Sequence, residues 1–455
     1  MQVRTVADLS PAERGALFDR DAGIDAVRED VRDIVSKVRK EGDAALREYA
    51  HEFDDVDVGS IEITDDAERA AETIDGDLRD AIETAIGNVR EFHERQLPTD
   101  WRADFSGREL GRRFRPLSRV GAYVPGGEAA YPSSAIMTVV PATVAGVEQV
   151  VVTTPPGDPP NPATLAAISL AGADSVYQAG GAQAIAALAY GTETLSPVQK
   201  IVGPGNKWVT AAKADVRNDV AIDFLAGPSE VLVLCDASAD PRFVATDLLA
   251  QAEHDPEASV VAVTDDPDLA DGIVAAIERQ VGERERAETI GKALANDASG
   301  VLLARSMSEV IGFAEEYAAE HLSIQAGEDE TLLERIDSAG SAFLGPYTPV
   351  AAGDYASGTN HVLPTGGGAR VDGGLSVDTF LRATTVQRLS AGSLAGLGDT
   401  IDTLARAEGL EAHAESVRTR LADDSHRTGS DSTGTDTPND ASDPARTGDG
   451  TDLNG

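Results

Sequence analysis

Val147-Glu-Gln-Val-Val-Val-Thr-Thr154, stopped at once by Pro155-Pro-Gly157, is the stretch that decides the fold class. β-Branched residues favour an extended chain, and the Pro-Gly punctuation ends it. Residues 162–171 then carry the Ala and Leu content of a helix. Residues 175–178 read as a strand, 182–190 as a helix and 200–202 as a strand. Strands alternating with short helices build a parallel α/β sheet.

The same alternation returns further along. Strands are expected at 230–235, 259–264 and around Leu302, with helices at 241–254, 267–281 and 308–319. Over 25–53 and 65–96, apolar residues recur three and four apart among charges, which predicts amphipathic helices. Residues 340–375 are dense in Gly, Pro, Ser and Thr, the composition of a functional loop region. Residues 378–421 read as helical. From Asp423 onward the chain is Asp, Ser, Thr and Gly with hardly an apolar residue, so disorder is expected there.

The 455-residue chain has a formal net charge of −40, with 41% hydrophobic and 4% aromatic residues. It can bury a large core, made mostly of Ala, Val, Leu and Ile. The acidity argues against nucleic acid and against unassisted binding to an anionic membrane. Lysine occurs only at Lys37, Lys40, Lys200, Lys207, Lys213 and Lys292. An acidic, Lys-poor surface suits a salt-rich cytosol, where ions screen self-repulsion, so a halophilic source is expected. The amino terminus lacks the apolar core of a signal peptide. The apolar stretch 135–153 is broken by Pro141, Glu148 and Gln149, so no membrane span and a cytoplasmic location are expected. Cys235 is the single cysteine; it excludes an intrachain disulfide and reads as a small apolar residue of a buried strand.

Four of the seven histidines lie in segments that also supply Gln, Glu or Asp. His51, His93 and His426 sit in polar sequence and read as solvated surface residues. In Gln251-Ala-Glu-His254 the end residues are three apart, on one face at a helix C-terminus. An amide oxygen and an imidazole nitrogen there suit one cation; a His that caps the last carbonyls is the plainer alternative. Glu320-His321 follows a helix, and adjacent side chains point different ways. That suits two separate proton transfers, against the alternative of an ordinary helix-to-strand junction. Gly353-Asp-Tyr-Ala-Ser-Gly-Thr-Asn-His361 lacks core periodicity and offers Asp354 as an oxygen ligand and His361 as a substrate contact. Glu408-Gly-Leu-Glu-Ala-His413 by itself passes for surface helix.

Gly180-Gly-Ala-Gln183 and Gly203-Pro-Gly-Asn206 each follow a strand, and Val124-Pro-Gly-Gly127 precedes an apolar run. Such junctions present backbone N–H groups to phosphate, which points to a phosphate- or nucleotide-bearing ligand. None matches G-x-G-x-x-G, so the ordinary dinucleotide fingerprint is absent. Gly227-Pro-Ser229-Glu opens the second α/β run with a hydroxyl that can meet a ligand.

Taken in order, these segments resemble the histidinol dehydrogenase family from about residue 20 to 421. The matching stretches are Val120-Gly-Ala-Tyr-Val-Pro-Gly-Gly127, Gly180-Gly-Ala-Gln-Ala-Ile-Ala-Ala-Leu-Ala189, Gly203-Pro-Gly-Asn206, Leu225-Ala-Gly-Pro-Ser-Glu230, Gln251-Ala-Glu-His254, Glu320-His-Leu322, Gly353-Asp-Tyr-Ala-Ser-Gly-Thr-Asn-His-Val-Leu-Pro364 and Glu408-Gly-Leu-Glu-Ala-His413. The resemblance implies an α/β fold of two incomplete Rossmann-like parallel-sheet domains with helical N-terminal and C-terminal extensions. Residues 1–20 would be the N-terminal extension. Residues 21–122 with 229–375 would form the domain carrying metal and catalytic residues, and 123–228 the NAD-binding domain. Residues 376–422 would be a helical dimerisation segment and 423–455 a disordered acidic tail.

The resemblance also implies a reaction: L-histidinol is oxidised through L-histidinal to L-histidine with two NAD+ and water, in the last steps of histidine biosynthesis. Zn2+ would be held by Gln251, His254, Asp354 and His413, an N/O donor set that Mn2+ or Co2+ also fits. Substrate contacts would fall on Ser229, Gln251, His254, His321, Asp354, His361, Glu408 and His413. NAD contacts would fall on Tyr123, Gln183 and Asn206, without the usual glycine fingerprint. His321 would take the hydroxyl proton, and Glu320 would activate water. In the family's intertwined homodimer, Glu408 and His413 would serve the partner's site. Residues 424–455 have no counterpart and should be dispensable for turnover. The competing readings are a zinc-dependent NAD dehydrogenase of another amino alcohol, a metal hydrolase using Glu320, and a non-catalytic binding protein with a structural zinc.

Overall fold

The computed structural model describes residues 1–20, 22–126 and 130–428. Gly127 of the glycine motif, the His426 side chain and the expected disorder beyond residue 428 lie outside what is described. The chain divides into two compact units. The first comprises Met1–Pro98 and Phe114–Arg382, and the second Thr99–Arg113 and the chain from Ala383 onward.

The strands, in chain order, are β1 (Val3–Thr5), β2 (Trp101–Asp104), β3 (Arg108–Pro116), β4 (Arg119–Tyr123), β5 (Gln149–Thr154), β6 (Ser175–Gln178), β7 (Lys200–Val202), β8 (Ala221–Ile222), β9 (Glu230–Cys235), β10 (Ser259–Thr264), β11 (Gly300–Leu303), β12 (His321–Gln325), β13 (Ser341–Leu344) and β14 (Leu381–Leu389). The first unit holds a five-stranded parallel sheet, order β6-β5-β4-β7-β8, and a six-stranded parallel sheet, order β1-β11-β10-β9-β12-β13. Apart from the amino-terminal edge strand β1, the chain in both starts centrally, winds outward on one side, and then crosses to the other. The reversal falls between β4 and β7 in one sheet and between β9 and β12 in the other, the doubly wound arrangement.

The local reasons are visible in the sequence. β9 and β10 are buried along their whole length, and a central parallel strand covered on both faces reads as a continuous apolar run. Val231, Val233 and Cys235 point into the layer under the helices Pro241–Ala252 and Pro267–Val281. Leu232 and Leu234 point the other way, toward Leu17, Phe313 and Tyr317. The helices start sharply because Asn161, Asp240 and Asp266 accept backbone N–H groups of the first turn, with proline just inside. Cys235 is fully buried, and burial pushes its thiol up to about 12. The amino-terminal segment contributes β1, the edge strand beside β11.

The structure departs from the sequence reading at several points. Residues 378–421 are not helical throughout, because Leu381–Leu389 is a strand paired with β3 and the helix begins only at Ala391. Thr384, Thr385 and Val386 are β-branched, and sheet pairing exploits that where the charge pattern had implied a helix. His93 is not a solvated residue but fully buried. On the helix Gly76–Glu94 it continues the inward stripe of Ile82, Ile86 and Val89. Its Nδ1 lies 2.7 Å from Val89 O, its Nε2 has no hydrogen bond, and burial lowers its pKa.

The second unit holds β2 and most of β3 and β14, which pair in the order β14-β3-β2, and the helices Ala391–Ala407 and Glu411–Thr428. Its last helix therefore runs beyond Asp423, where disorder is expected from the sequence. Among the described residues, no helix is long and apolar enough to cross a membrane.

Candidate active site

The carboxyl edge of the five-stranded sheet gathers the residues implied in dinucleotide binding. Tyr123 ends β4, Gln183 lies in the first turn of the helix Gly181–Tyr190 after β6, and Asn206 precedes the helix Lys207–Val216 after β7. The Tyr123 hydroxyl accepts the Gly181 N–H at 3.2 Å, and burial pushes its pKa up to about 12, so it stays a hydrogen-bond donor. Asn206 Oδ1 accepts from Trp208 N at 3.1 Å and Val209 N at 3.3 Å, capping its helix. Gly203 has φ +112, and a Cβ there would sit 2.2 Å from Tyr123 O. The turn after β7 thus lies against the end of β4 at the sheet's reversal point.

The second constellation forms at the amino edge of the six-stranded sheet. His321 is the first residue of β12, and Glu320 immediately precedes it. Both hang on the first residue of β9: Glu230 N–H donates to Glu320 Oε2 at 2.7 Å, and His321 Nδ1 lies 2.9 Å from Glu230 O. A carbonyl oxygen only accepts, so Nδ1 carries the proton and Nε2 of the neutral ring is free to act as a base. Nε2 lies 3.4 Å from Asp354 Oδ1, in ion-pair range but without hydrogen-bond geometry. His361 Nδ1 is 2.8 Å from Asp354 O. Contrary to a divergent geometry for neighbouring residues, Glu320 Oε2 approaches His321 Nδ1 to 3.5 Å.

Charge in this cluster is unevenly distributed. Burial opposes ionisation of Asp354, yet His321, His361 and His254 outweigh it and hold its carboxyl below the usual range. Burial also disfavours the His321 imidazolium, but Glu320 and Asp354 outweigh it and raise its pKa well above the ordinary value. His361 is dominated by burial, which lowers its pKa. Behind them, Glu230 is pushed up to about 7 by burial, opposed by Arg20. Arg20 pairs with the Glu230 carboxylate, donates to Tyr317 O at 2.6 Å and stacks 3.8 Å over the Tyr317 ring. Glu230 Oε1 also accepts the Gly366 N–H at 2.6 Å, tying the 353–370 loop to the same point.

Gln251 is buried in the last turn of the helix Pro241–Ala252, and His254 is exposed just beyond that helix, which ends two residues earlier than its expected span. Ser229 directly precedes β9. Glu408 and His413 belong to the second unit and are exposed there. Among the described residues, no three His, Cys, Asp or Glu side chains are grouped as a metal cluster. The donors of the first unit nevertheless fit a divalent cation. The Asp354 carboxyl is held below the usual range, His254 is close enough to act on it, and Gln251 offers an amide oxygen from the last helical turn. The carboxyl edge of the other sheet fits a dinucleotide in the same sense: two helix N-termini face it, and Gln183 offers a side-chain amide in the first turn of one of them.

Sequence reasoning did not single out Arg20 or the side chain of Glu230. Glu230 sits inside a quoted motif, but its position at the head of an apolar strand made it look like a strand boundary. An acid opening a wholly buried strand was the available signal, since such a group demands a partner. Arg20 carried no signal, because its partner is distant in sequence.

Comparison with known proteins adds an independent line. The histidinol dehydrogenase family profile matches residues 19–421. Histidinol dehydrogenase of Haloarcula marismortui is 72% identical over 421 residues, covering 92% of this chain and 100% of its own. That of Halobacterium salinarum is 67% identical over 425 residues, covering 93% and 100%. The crystal structure of histidinol dehydrogenase from Elizabethkingia anophelis superposes with a TM-score of 0.87 at 36% identity, over 93% of this chain and 98% of that one.

Proposed function

Because the chain belongs to the histidinol dehydrogenase family, we propose that it oxidises L-histidinol through L-histidinal to L-histidine, with His321 as the base and Glu320 as the activator of water. The observation that carries this reading is the orientation of His321. Its Nδ1 is committed to Glu230 O, which leaves Nε2 beside Asp354 as the proton acceptor. In the first oxidation Nε2 takes the substrate hydroxyl proton. In the second, Glu320 takes a proton from the water that adds to the aldehyde, and His321 again accepts the proton from the resulting diol.

Substrate would be gripped by Ser229, Gln251, His254, Asp354 and His361 of one chain, with Glu408 and His413 supplied by a second copy in an intertwined homodimer. Gln251, His254, Asp354 and His413 would hold Zn2+, and Tyr123, Gln183 and Asn206 would contact NAD+. When bound, the cation orients the substrate and neutralises Asp354, and two NAD+ in turn accept the hydrides. Asp354 is one of the two anions that raise the His321 pKa, so a cation held there would weaken that effect. The acidic, Lys-poor composition supports a salt-rich cytoplasm as the working environment, and high identity to Haloarcula and Halobacterium relatives is consistent with it.

The test is NADH formation from L-histidinol in concentrated KCl, with and without chelator, for the wild type and His321→Ala. Two NADH per L-histidine, loss on chelation and loss in the variant are expected. No NADH from the wild type would overturn the reading. NADH from other amino alcohols but not from L-histidinol would favour the other dehydrogenase.

A further inference from the structure

The turn Gly203-Pro-Gly-Asn206 is held from behind by two side chains that the reading above leaves unused. Lys213, on the inner face of the helix Lys207–Val216, donates from Nζ to Gly203 O at 2.5 Å and to Asp223 Oδ1 at 2.7 Å. Asp223 Oδ2 accepts the Gly203 N–H at 2.8 Å. These three hydrogen bonds close a ring that holds both the N–H and the C=O of one residue. The ring is sealed from water, with side-chain exposures of 4% for Lys213 and 1% for Asp223.

Three features point to a positional role. Gly203 cannot be anchored through a side chain, because a Cβ at that residue would collide with Tyr123 O. Only its peptide groups remain to be gripped, and the pair takes both. A buried ion pair is also a weak general stabiliser, since desolvation offsets most of the attraction. Finally, this chain uses lysine sparingly, yet places one in the interior behind this turn. The ring presses the turn against the end of β4, and so sets Tyr123 and Asn206 relative to each other.

We propose that Lys213 and Asp223 are positioning residues for the dinucleotide, setting its affinity through the Gly203–Asn206 turn without touching it. The inference rests on the reading that Tyr123, Gln183 and Asn206 contact NAD+. It predicts a split between the two substrates. The amino edge of the six-stranded sheet lies outside the ring, so L-histidinol handling should be spared.

The experiment uses the full chain in concentrated KCl. Tryptophan fluorescence, titrated with NAD+ in a Trp101→Phe background so that Trp208, two residues beyond Asn206, is the single emitter, gives the Kd, and steady-state kinetics gives KM for each substrate. Lys213→Met and Asp223→Asn should each raise the Kd and KM for NAD+ roughly tenfold to a hundredfold, the scale of a small misplacement of binding groups. KM for L-histidinol should stay within about twofold. Lys213→Arg, which keeps the charge and donors, should recover most of the affinity. Asp223→Asn preserves volume and serves as the decisive variant if Lys213→Met does not fold. Unchanged NAD+ affinity in a folded variant, or equal rises in both KM values, overturns the proposal. Asn206→Ala separates the two levels. If it weakens NAD+ and the ring variants do not, only the positioning role falls. If neither does, the placement of the dinucleotide is wrong and the proposal falls with it.

Discussion

The two parallel sheets share one winding scheme but expose their chemistry at opposite ends. In the five-stranded sheet the implied dinucleotide contacts lie at the carboxyl edge, where the helices Gly181–Tyr190 and Lys207–Val216 begin. In the six-stranded sheet Glu230, Glu320 and His321 lie at the amino edge, where the helices Pro241–Ala252 and Met307–Tyr317 end. Helix N-termini carry partial positive charge and free N–H groups, which suit phosphate. Helix C-termini carry partial negative charge and free carbonyls, which suit cations. An anionic dinucleotide and a cationic metal–substrate pair, bound as proposed, would therefore occupy opposite poles of the same architecture. The carboxyl ends of β9 and β12 are correspondingly filled from within. Gln325 Nε2 donates to Asp247 Oδ2 at 2.9 Å, both largely buried, and Asp236 Oδ2 accepts the Gly327 N–H at 3.0 Å.

This division can be broken experimentally, starting where the effect is largest. His321→Ala should cut turnover about 10²–10⁴-fold, the usual value of a positioned proton acceptor. Trp208 fluorescence should still report unaltered NAD+ binding; a matching loss of NAD+ affinity would show that the poles are not separable. Arg20→Met leaves the Glu230 carboxyl buried without its cation. It should lower the unfolding free energy by about 3–5 kcal/mol. Adding Glu230→Gln should restore most of that in a denaturant titration, and no recovery would mean that Arg20 matters through its stacking on Tyr317 instead.

Asp354→Asn sharpens the cationic pole. Metal content after dialysis, read by elemental analysis, should fall about 10–100-fold in affinity terms, with NAD+ binding spared. Full metal retention would remove Asp354 from the ligand set. Asn206→Ala probes the anionic pole at lower cost. Besides weaker NAD+ binding, it should lose about 1 kcal/mol of stability, because its side chain caps a helix. The smallest effect concerns His93. Burial lowers its folded pKa below the ordinary 6.5. The unfolded chain then binds more protons over that interval, so stability is complete above about 6.5 and declines as pH falls toward the lowered value. His93→Leu should flatten the acid side of a melting-temperature profile taken at constant KCl. An unchanged slope would mean that His93 is not a titrating group in this range.

Much of the architecture was legible because parallel strands buried on both faces must be continuous apolar runs. Glu230–Cys235, Ser259–Thr264 and Ser175–Gln178 coincide with their expected spans, and so do the helices Pro162–Ala171 and Pro267–Val281. Strands on exposed or short segments were not legible. β2, β3 and β14 are largely solvent-facing, so burial had left little pattern in them. His93 was misread because charged neighbours on the outer face of its helix hide the 82–86–89–93 stripe. For the site, motifs quoted from the chain carried Gln251, His254, Glu320, His321, Asp354 and His361. The structure adds how the pair at 320 and 321 is held, through main-chain groups of Glu230 that no side-chain motif can record.

Composition and order along the chain determined the α/β class, the acidic low-lysine character, the family resemblance and the residues able to do acid–base and ligand chemistry. Those properties are local: each depends on a residue's type, its period and its near neighbours. Only the tertiary structure decided that Arg20 meets Glu230 across some two hundred residues, that Lys213 and Asp223 grip the Gly203 peptide, and that Nε2 of His321 is the nitrogen left free. These depend on strand order and on backbone groups, which every residue possesses alike and which acquire distinct roles only when the chain brings them together.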